Sequence, residues 1–148
     1  MSEQKIEIKR VSATELEALS RIEALSFSSP WSQKSLELLL GERAFGLCAV
    51  VDGEAVAYVG VLCVLDEGQI TNVATHPDYR RRGLARTLMT SLEGYARERG
   101  IAFLSLEVRR SNEAALALYR GLGWREAGVR KGFYSHPTED AIVMTKNL

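Results

Sequence analysis

The sequence is short of the residues that usually carry inorganic chemistry. Its 148 residues include two cysteines and two histidines. Cys48 and Cys63 both lie in apolar segments and read as small buried hydrophobes of a reducing compartment rather than as a disulfide. His76 and His136 are far apart, and neither stands at ligand spacing from a Cys or another His, so no metal site is expected. Only three prolines are present, and no repeat, low-complexity tract or Pro/Gly/Ser linker divides the chain. One domain spanning residues 1–148 is therefore expected. Neither charge is in excess, with 19 Lys+Arg against 19 Asp+Glu, which removes any general pull toward nucleic acid. No apolar run approaches the ~18 residues of a membrane span. Residues 1–10 alternate apolar and charged side chains and lack the apolar stretch of a secretion signal. These absences point to a soluble, cytoplasmic protein that, as an enzyme, would work with side chains and an organic cofactor.

What is present is an ordinary globular core, since 46% of the chain is hydrophobic and the length suits one compact domain. Aliphatic residues run through most of the sequence, which excludes disorder. Ile6, Ile8 and Val11 suggest a first strand. Thr14 precedes a helical stretch marked by Leu16, Leu19, Ile22 and Leu25. Ser28, Ser29 and Pro30 break it, and residues 31–40 read as a second helix with Ser32 as cap and Gly41 as stop. Two apolar runs, 45–51 and 55–65, flank Asp52-Gly53, the strongest short hairpin signal. A strand over 69–75 follows an Asp66-Glu67-Gly68 turn. Leu84, Leu88, Leu92 and Tyr95 mark one face of a helix that Gly100 ends. A strand (103–108), a helix (113–122) and two strands around 124–127 and 140–145 complete the order. An antiparallel front half joined to strand–helix–strand units predicts a mixed α/β sheet.

The most informative segment runs from Val73 to Ala85. A strand feeds a turn, and the turn feeds a helix whose first residues are basic and small. The opening amides of a helix lack internal partners and carry partial positive charge, which suits a phosphate. Gly83 would let backbone approach a ligand closely. The pattern is neither GxxxxGK[ST] nor GxGxxG. Taken alone, it fits equally a solvated arginine cluster beside a glycine that tightens a turn.

Downstream, Ser105, Glu107 and Arg109 share one face of a strand whose other face carries Leu104, Leu106 and Val108. A Glu near the C-terminal end of such a strand is where an α/β sheet places reactive groups. On its own it is more simply explained by a pairing with Arg109 or another surface cation. Asn112 reads as a helix cap, and Ala115, Leu118 and Leu122 as a packing stripe. Tyr119 falls at the stripe's border, where a phenol can be half buried with its hydroxyl free.

Arg80-x-x-Gly83-x-Ala85 resembles the (Gln/Arg)-x-x-Gly-x-(Gly/Ala) signature of the GCN5-related N-acetyltransferases (GNAT), and it follows a strand at the head of a helix as it does there. The segment from Leu106-Glu107-Val108-Arg109 through Asn112, Tyr119 and Gly123 resembles the ribosomal-protein alanine N-acetyltransferases (the RimI family). So do Phe27-x-x-Pro30-Trp31-Ser32 and Glu139-Asp140-Ala141, and the likeness spans nearly the whole chain. Trp124 stands where that family usually has Phe, and Phe133-Tyr134 where it has Tyr-Tyr.

The resemblance implies a single GNAT domain with splayed central strands flanked by helices. It implies acetyl-CoA as co-substrate, with its pyrophosphate on Arg81, Arg82, Gly83, Leu84, Ala85 and Arg86 and its pantetheine arm on the main chain of Val73, Ala74 and Thr75. Asn112 would add a cofactor contact. The resemblance also assigns Glu107 as general base, with a pKa raised by burial, and Tyr119 as the acid that protonates the departing thiolate. The acceptor implied is the N-terminal alanine of a ribosomal protein, the small-subunit protein number eighteen, in a groove near Trp31 and Tyr134. For Trp31, a hydrophobic plug between the first two helices is at least as good a role. A lysine side chain or small amine as acceptor, a non-catalytic acetyl-CoA-binding module and a nucleotide-binding protein are the alternative readings.

Overall fold

The computed structural model describes residues 5–148, so the first four residues of the alternating 1–10 stretch lie outside the described residues. The chain runs β1 (Ile6–Arg10), α1 (Leu16–Ser26), α2 (Gln33–Leu36), β2 (Ala44–Val51), β3 (Glu54–Val64), β4 (Glu67–Thr75), α3 (Leu84–Glu98), β5 (Phe103–Arg109), α4 (Glu113–Gly121), β6 (Arg125–Tyr134) and β7 (Glu139–Asn147). The strands form one seven-stranded sheet in the order β1-β2-β3-β4-β5-β7-β6. Only β4 and β5 are parallel. The expected mixed α/β sheet is what forms.

Side-chain alternation along β2 divides the core between the two faces. Phe45, Leu47, Ala49 and Val51 pack with Leu84, Leu88, Met89 and Leu92 of α3. Cys48, with Tyr58 of β3 and Ala74 of β4, packs instead with Leu16, Leu19 and Ile22 of α1 and with Leu36 and Leu39. The Asp52-Gly53 turn forms as expected, with both residues left-handed at φ 51° and 83°, the geometry that matches the twist of a two-residue hairpin.

Several boundaries differ from the sequence reading. Thr14 precedes α1 as expected, but within a 3-10 turn (Ala13–Glu15) entered through Ser12. The Ser12 amide and hydroxyl both donate to the Glu15 carboxylate, at 2.8 and 2.7 Å, the spacing of a capping box. The expected helix over 31–40 shrinks to α2 and a 3-10 turn (Glu37–Leu40). Leu36 and Leu39 are buried three residues apart, the period of a 3-10 turn, while Leu38 and Leu40 stay exposed. Ser32 does cap α2, accepting from the Ser35 amide at 3.1 Å. The turn expected at Asp66-Glu67-Gly68 closes earlier, with Leu65 left-handed at φ 54°, because Glu67 and Gly68 already pair with Phe103 and Leu104. β6 and β7 extend well beyond 124–127 and 140–145. The packing stripe of α4 is rotated by one position, with Leu116 and Tyr119 buried and Ala115, Leu118 and Leu122 only partly so. Cys48 is buried and Cys63 half-buried, and both are free thiols. Burial pushes the Cys48 thiol up to about 12, so it stays protonated and inert.

Lys146 of β7 ties α3 to α4. Its ammonium pairs with the Glu93 carboxylate and donates to the Leu122 carbonyl at the end of α4. Both side chains are largely shielded, at 20% and 12% exposure. Lys146→Met leaves Glu93 uncompensated, and urea unfolding is expected to show a loss of about 2–3 kcal/mol, whereas a double change with Glu93→Leu recovers most of it. A single-variant loss below about 0.5 kcal/mol would show the pair to be screened.

Candidate active site

The parallel ladder between β4 and β5 is short: Glu67, Gly68 and Gln69 pair with Phe103, Leu104 and Ser105, and nothing pairs beyond. A bulge on β4 marks where it ends. Gly60 pairs with Asn72 and Val61 with Ile70, which leaves Thr71 as the extra residue. β5 continues with β7 to Arg109, so a gap opens between residues 73–75 and 106–109. The expected splay is present.

Alternation decides which main-chain groups face this gap. The His76 amide donates to the Val56 carbonyl at 2.7 Å, so the backbone of Ala74, two residues back, is also turned to β3. Val73 and Thr75 present theirs to the gap. The Thr75 carbonyl already accepts from Arg80 Nε at 3.2 Å. Of the three residues expected to hold a pantetheine arm by main chain, Ala74 is committed to the sheet and Val73 is the most open.

The gap leads to the head of α3. Arg81 and Gly83 are left-handed, at φ 64° and 76°. The first helical bond runs from the Thr87 amide to the Gly83 carbonyl at 3.0 Å, so the amides of Leu84, Ala85 and Arg86 precede the ladder and have no partner within the helix. Apart from its chain neighbours, no heavy atom of the described residues lies within 4 Å of where a Cβ on Gly83 would sit, so backbone is open to a ligand there. The side chains around this turn point elsewhere. Leu84 is buried in the core. Arg80 reaches back to Ser26 Oγ at 3.3 Å as well as to Thr75. Arg82 lies over the Tyr79 ring at 4.9 Å. Arg86 extends toward α4, its Nη2 3.6 Å from a Cβ built on Gly121. What the turn leaves open is main chain.

Glu107 lies on β5 beside the gap, Tyr119 on α4 and Tyr134 at the end of β6. Glu107 is half-buried rather than enclosed, and its Oε1 lies 3.5 Å from Arg130 Nε on β6. A cation beside the carboxylate was anticipated; the partner is Arg130, not Arg109. Tyr119 is more deeply placed than expected, 5% exposed, with its ring 5.7 Å from that of Trp124. Burial, and secondarily Tyr134, pushes its phenol up to about 12. Tyr134 is half-buried, and burial followed by the charge of Glu107 raises its phenol as well.

Arg109 organises this side. Its guanidinium covers the Tyr134 ring at 4.4 Å, donates to the carbonyls of Ser135 and Pro137 at 3.1 and 3.0 Å, and pairs with Glu139 at 3.3 Å. Glu139 also accepts from the Ser111 amide at 2.6 Å. Hydrogen bonds from Ser111, then the neighbouring Arg109, hold the Glu139 carboxyl below the usual range. This clasp is complete above the ordinary Glu pKa and loosens as pH falls through the lowered value. Phe133 is 48% exposed and meets Tyr134 edge-on, so a phenyl at 133 removes nothing from the cluster.

Asn112 caps α4, its Oδ1 accepting from the Ala115 amide at 3.1 Å. Trp31 is half-buried against the core on the α1 face, as a plug would be, and its amide donates to Glu23 Oε1 at 2.9 Å. Sequence reasoning missed Glu23, Arg130 and the Arg109 clasp. Glu23 carried a signal, since it lies on the buried stripe of α1 four residues after Leu19. No group of three or more His, Cys, Asp or Glu suited to a metal occurs among the described residues. No helix among them is long and apolar enough to cross a membrane.

A family model described as Acetyltransferase (GNAT) family matches residues 16–124. The chain is 41% identical over 141 residues to the ribosomal protein bS18-alanine N-acetyltransferase of Escherichia coli (strain K12), covering 93% of this chain and 94% of that one. It is 42% identical over 141 residues to the protein of the same name from Salmonella typhimurium, with the same shares covered. The crystal structure of the Escherichia coli ribosomal-protein-S18-alanine N-acetyltransferase superposes with a TM-score of 0.90 at 39% identity, over 97% of this chain and 94% of that one.

Proposed function

The chain belongs to the GNAT acetyltransferases, among the ribosomal-protein alanine N-acetyltransferases, and from that premise we propose that it acetylates the N-terminal alanine of a ribosomal protein, bS18. What supports this reading is the parting of β4 from β5 beyond Gln69 and Ser105, with the open amides at the head of α3 following the one strand and Glu107 standing on the other.

Acetyl-CoA supplies an acyl group activated as a thioester. The donors fit it: unpartnered amides at a helix N-terminus suit a diphosphate, and the extended edge of Val73 suits an amide-bearing arm. Arg81, Arg82, Gly83, Leu84, Ala85 and Arg86 would line the diphosphate, and Val73 and the Thr75 amide the arm. Asn112 caps α4, which is its first role.

An α-amine has a pKa near 8 and arrives protonated at neutral pH. Glu107 takes one proton from that ammonium, freeing the nitrogen lone pair for the acyl carbon. The nitrogen's second proton is released as the amide forms. Tyr119, kept protonated by burial, donates to the sulfur as the carbon–sulfur bond breaks. A phenol is a weaker acid than a thiol, so this transfer accompanies the breaking bond; solvent then reprotonates the phenolate and takes the protons left on Glu107 and released from the nitrogen. No acyl-enzyme is needed, and the inert Cys48 has no part. Holding amine and thioester together supplies a large share of the acceleration.

The test is mass spectrometry of short peptides incubated with the protein and acetyl-CoA, with the first residue varied and one set blocked at the α-amine but containing lysine. Acetylation of the α-amine, strongest with alanine first, is the expected result. Modification confined to the lysine of blocked peptides would overturn it.

A further inference from the structure

Glu23 is 1% exposed, and no cation lies within ion-pair distance of it among the described residues. Burying a carboxylate without a counter-charge costs several kcal/mol unless donors replace water. Three donors do so, from three separate parts of the fold. The Trp31 amide reaches Oε1 at 2.9 Å; the Tyr58 hydroxyl on β3 and Asn72 Nδ2 on β4 reach Oε2 at 2.8 and 3.5 Å. Burial, then the Glu23 charge, drives the Tyr58 phenol far above its ordinary range, so it stays a donor.

The bulge at Thr71 is what brings Asn72 there. In an unbroken strand, adjacent side chains would point to opposite faces. Thr71 Oγ1 instead lies beside Gly60 and Leu39, on the face covered by α1, and Asn72 points to that face too. The irregularity that parts β4 from β5 thus also turns an amide toward Glu23. At its other oxygen, Glu23 catches the chain eight residues after itself, closing the connection between α1 and α2. That connection reaches the substrate side: Ser28 Oγ donates to the His136 carbonyl at 3.3 Å, in the turn that follows Tyr134.

We propose that Glu23 is a positioning residue for the acceptor: anchored by Tyr58 and Asn72 on the bulged strands, it fixes residues 27–31 against the 135–137 turn and so sets the width of the groove beside Tyr134. The inference rests on the acetyltransferase reading for its substrate. The carboxylate touches no reacting atom, and its effect falls on acceptor binding rather than on the chemical step.

The experiment uses Glu23→Gln, which keeps the shape but leaves only one carbonyl oxygen for donors on both sides. KM for an alanine-first peptide is expected to rise about tenfold, the scale of one hydrogen bond to a charged group. Turnover at saturating peptide and KM for acetyl-CoA should stay within about twofold. Tyr58→Phe removes one donor and should shift the peptide KM the same way by less; it carries the test if Glu23→Gln fails to fold. With Trp124→Phe as background, Trp31 is the sole tryptophan, and Glu23→Gln should increase its quenching by acrylamide. An unchanged peptide KM, or an equal rise in the acetyl-CoA KM, would overturn the proposal. If the parent protein acetylates no peptide, the acetyltransferase reading fails, and Trp31 quenching alone then decides whether Glu23 anchors the connection.

Discussion

Glu107→Gln is expected to lower turnover at pH 7 by about a hundredfold or more, the usual worth of a positioned general base. The substitution is nearly isosteric, so acetyl-CoA binding should stay within about twofold. Stability should change little, because Arg130, the partner of Glu107, is 59% exposed and an ion pair of that kind contributes little. The pH dependence is the discriminating part. With the base present, the enzyme accepts the ammonium form of the peptide. With Gln, only the fraction already deprotonated reacts, and that fraction grows from about a tenth at pH 7 toward completion above pH 9. The deficit should therefore shrink by about tenfold between those values. A variant with the parent's rate and the parent's acid limb would remove Glu107 from the mechanism.

Tyr119→Phe is the second large effect. The ring remains packed on Trp124, and the fold loses only one hydroxyl from a buried site. Turnover is expected to fall by about 10–10³-fold with acetyl-CoA affinity preserved, because the hydroxyl matters when charge builds on the departing sulfur. Equal losses in affinity and turnover would assign Tyr119 to binding. The raised phenol adds a sign to check. A folded value of about 12 means the native state holds this proton more tightly than the unfolded chain. Stability from it is intact below the ordinary value near 10 and is lost as pH climbs toward 12. The Phe variant should lack that alkaline decline, as followed by unfolding at pH 9 and 11.

How far the sequence disclosed the molecule depended on whether the physics was local. Asp52-Gly53 and the Gly83 turn were legible because the conformations they need are properties of two or three neighbouring residues. The apolar run 45–51 showed a strand because both faces of the sheet are covered there, and the alternation of 103–108 showed one because its second face carries polar groups such as Ser105 and Glu107. β6 was nearly invisible beyond Ala127, since nearly all of it is exposed and no apolar rhythm marks an edge strand. The splay of β4 from β5 could be expected only from the family resemblance, because no residue type demands the bulge at Thr71 that marks it. Glu107, Tyr119 and Tyr134 could be named from the family resemblance. The groups that hold them could not: the clasp of Arg109 spans residues 109 to 139, and the hydrogen bonds of Glu23 span residues 23 to 72. Such partners are set by the fold as a whole.

A crystal structure of the protein with coenzyme A would examine the geometry most directly. The diphosphate should lie on the amides of residues 83–86, with the arm along Val73 and the sulfur directed between Glu107 and Tyr119. A diphosphate bound away from Gly83, or a sulfur remote from both side chains, would contradict it.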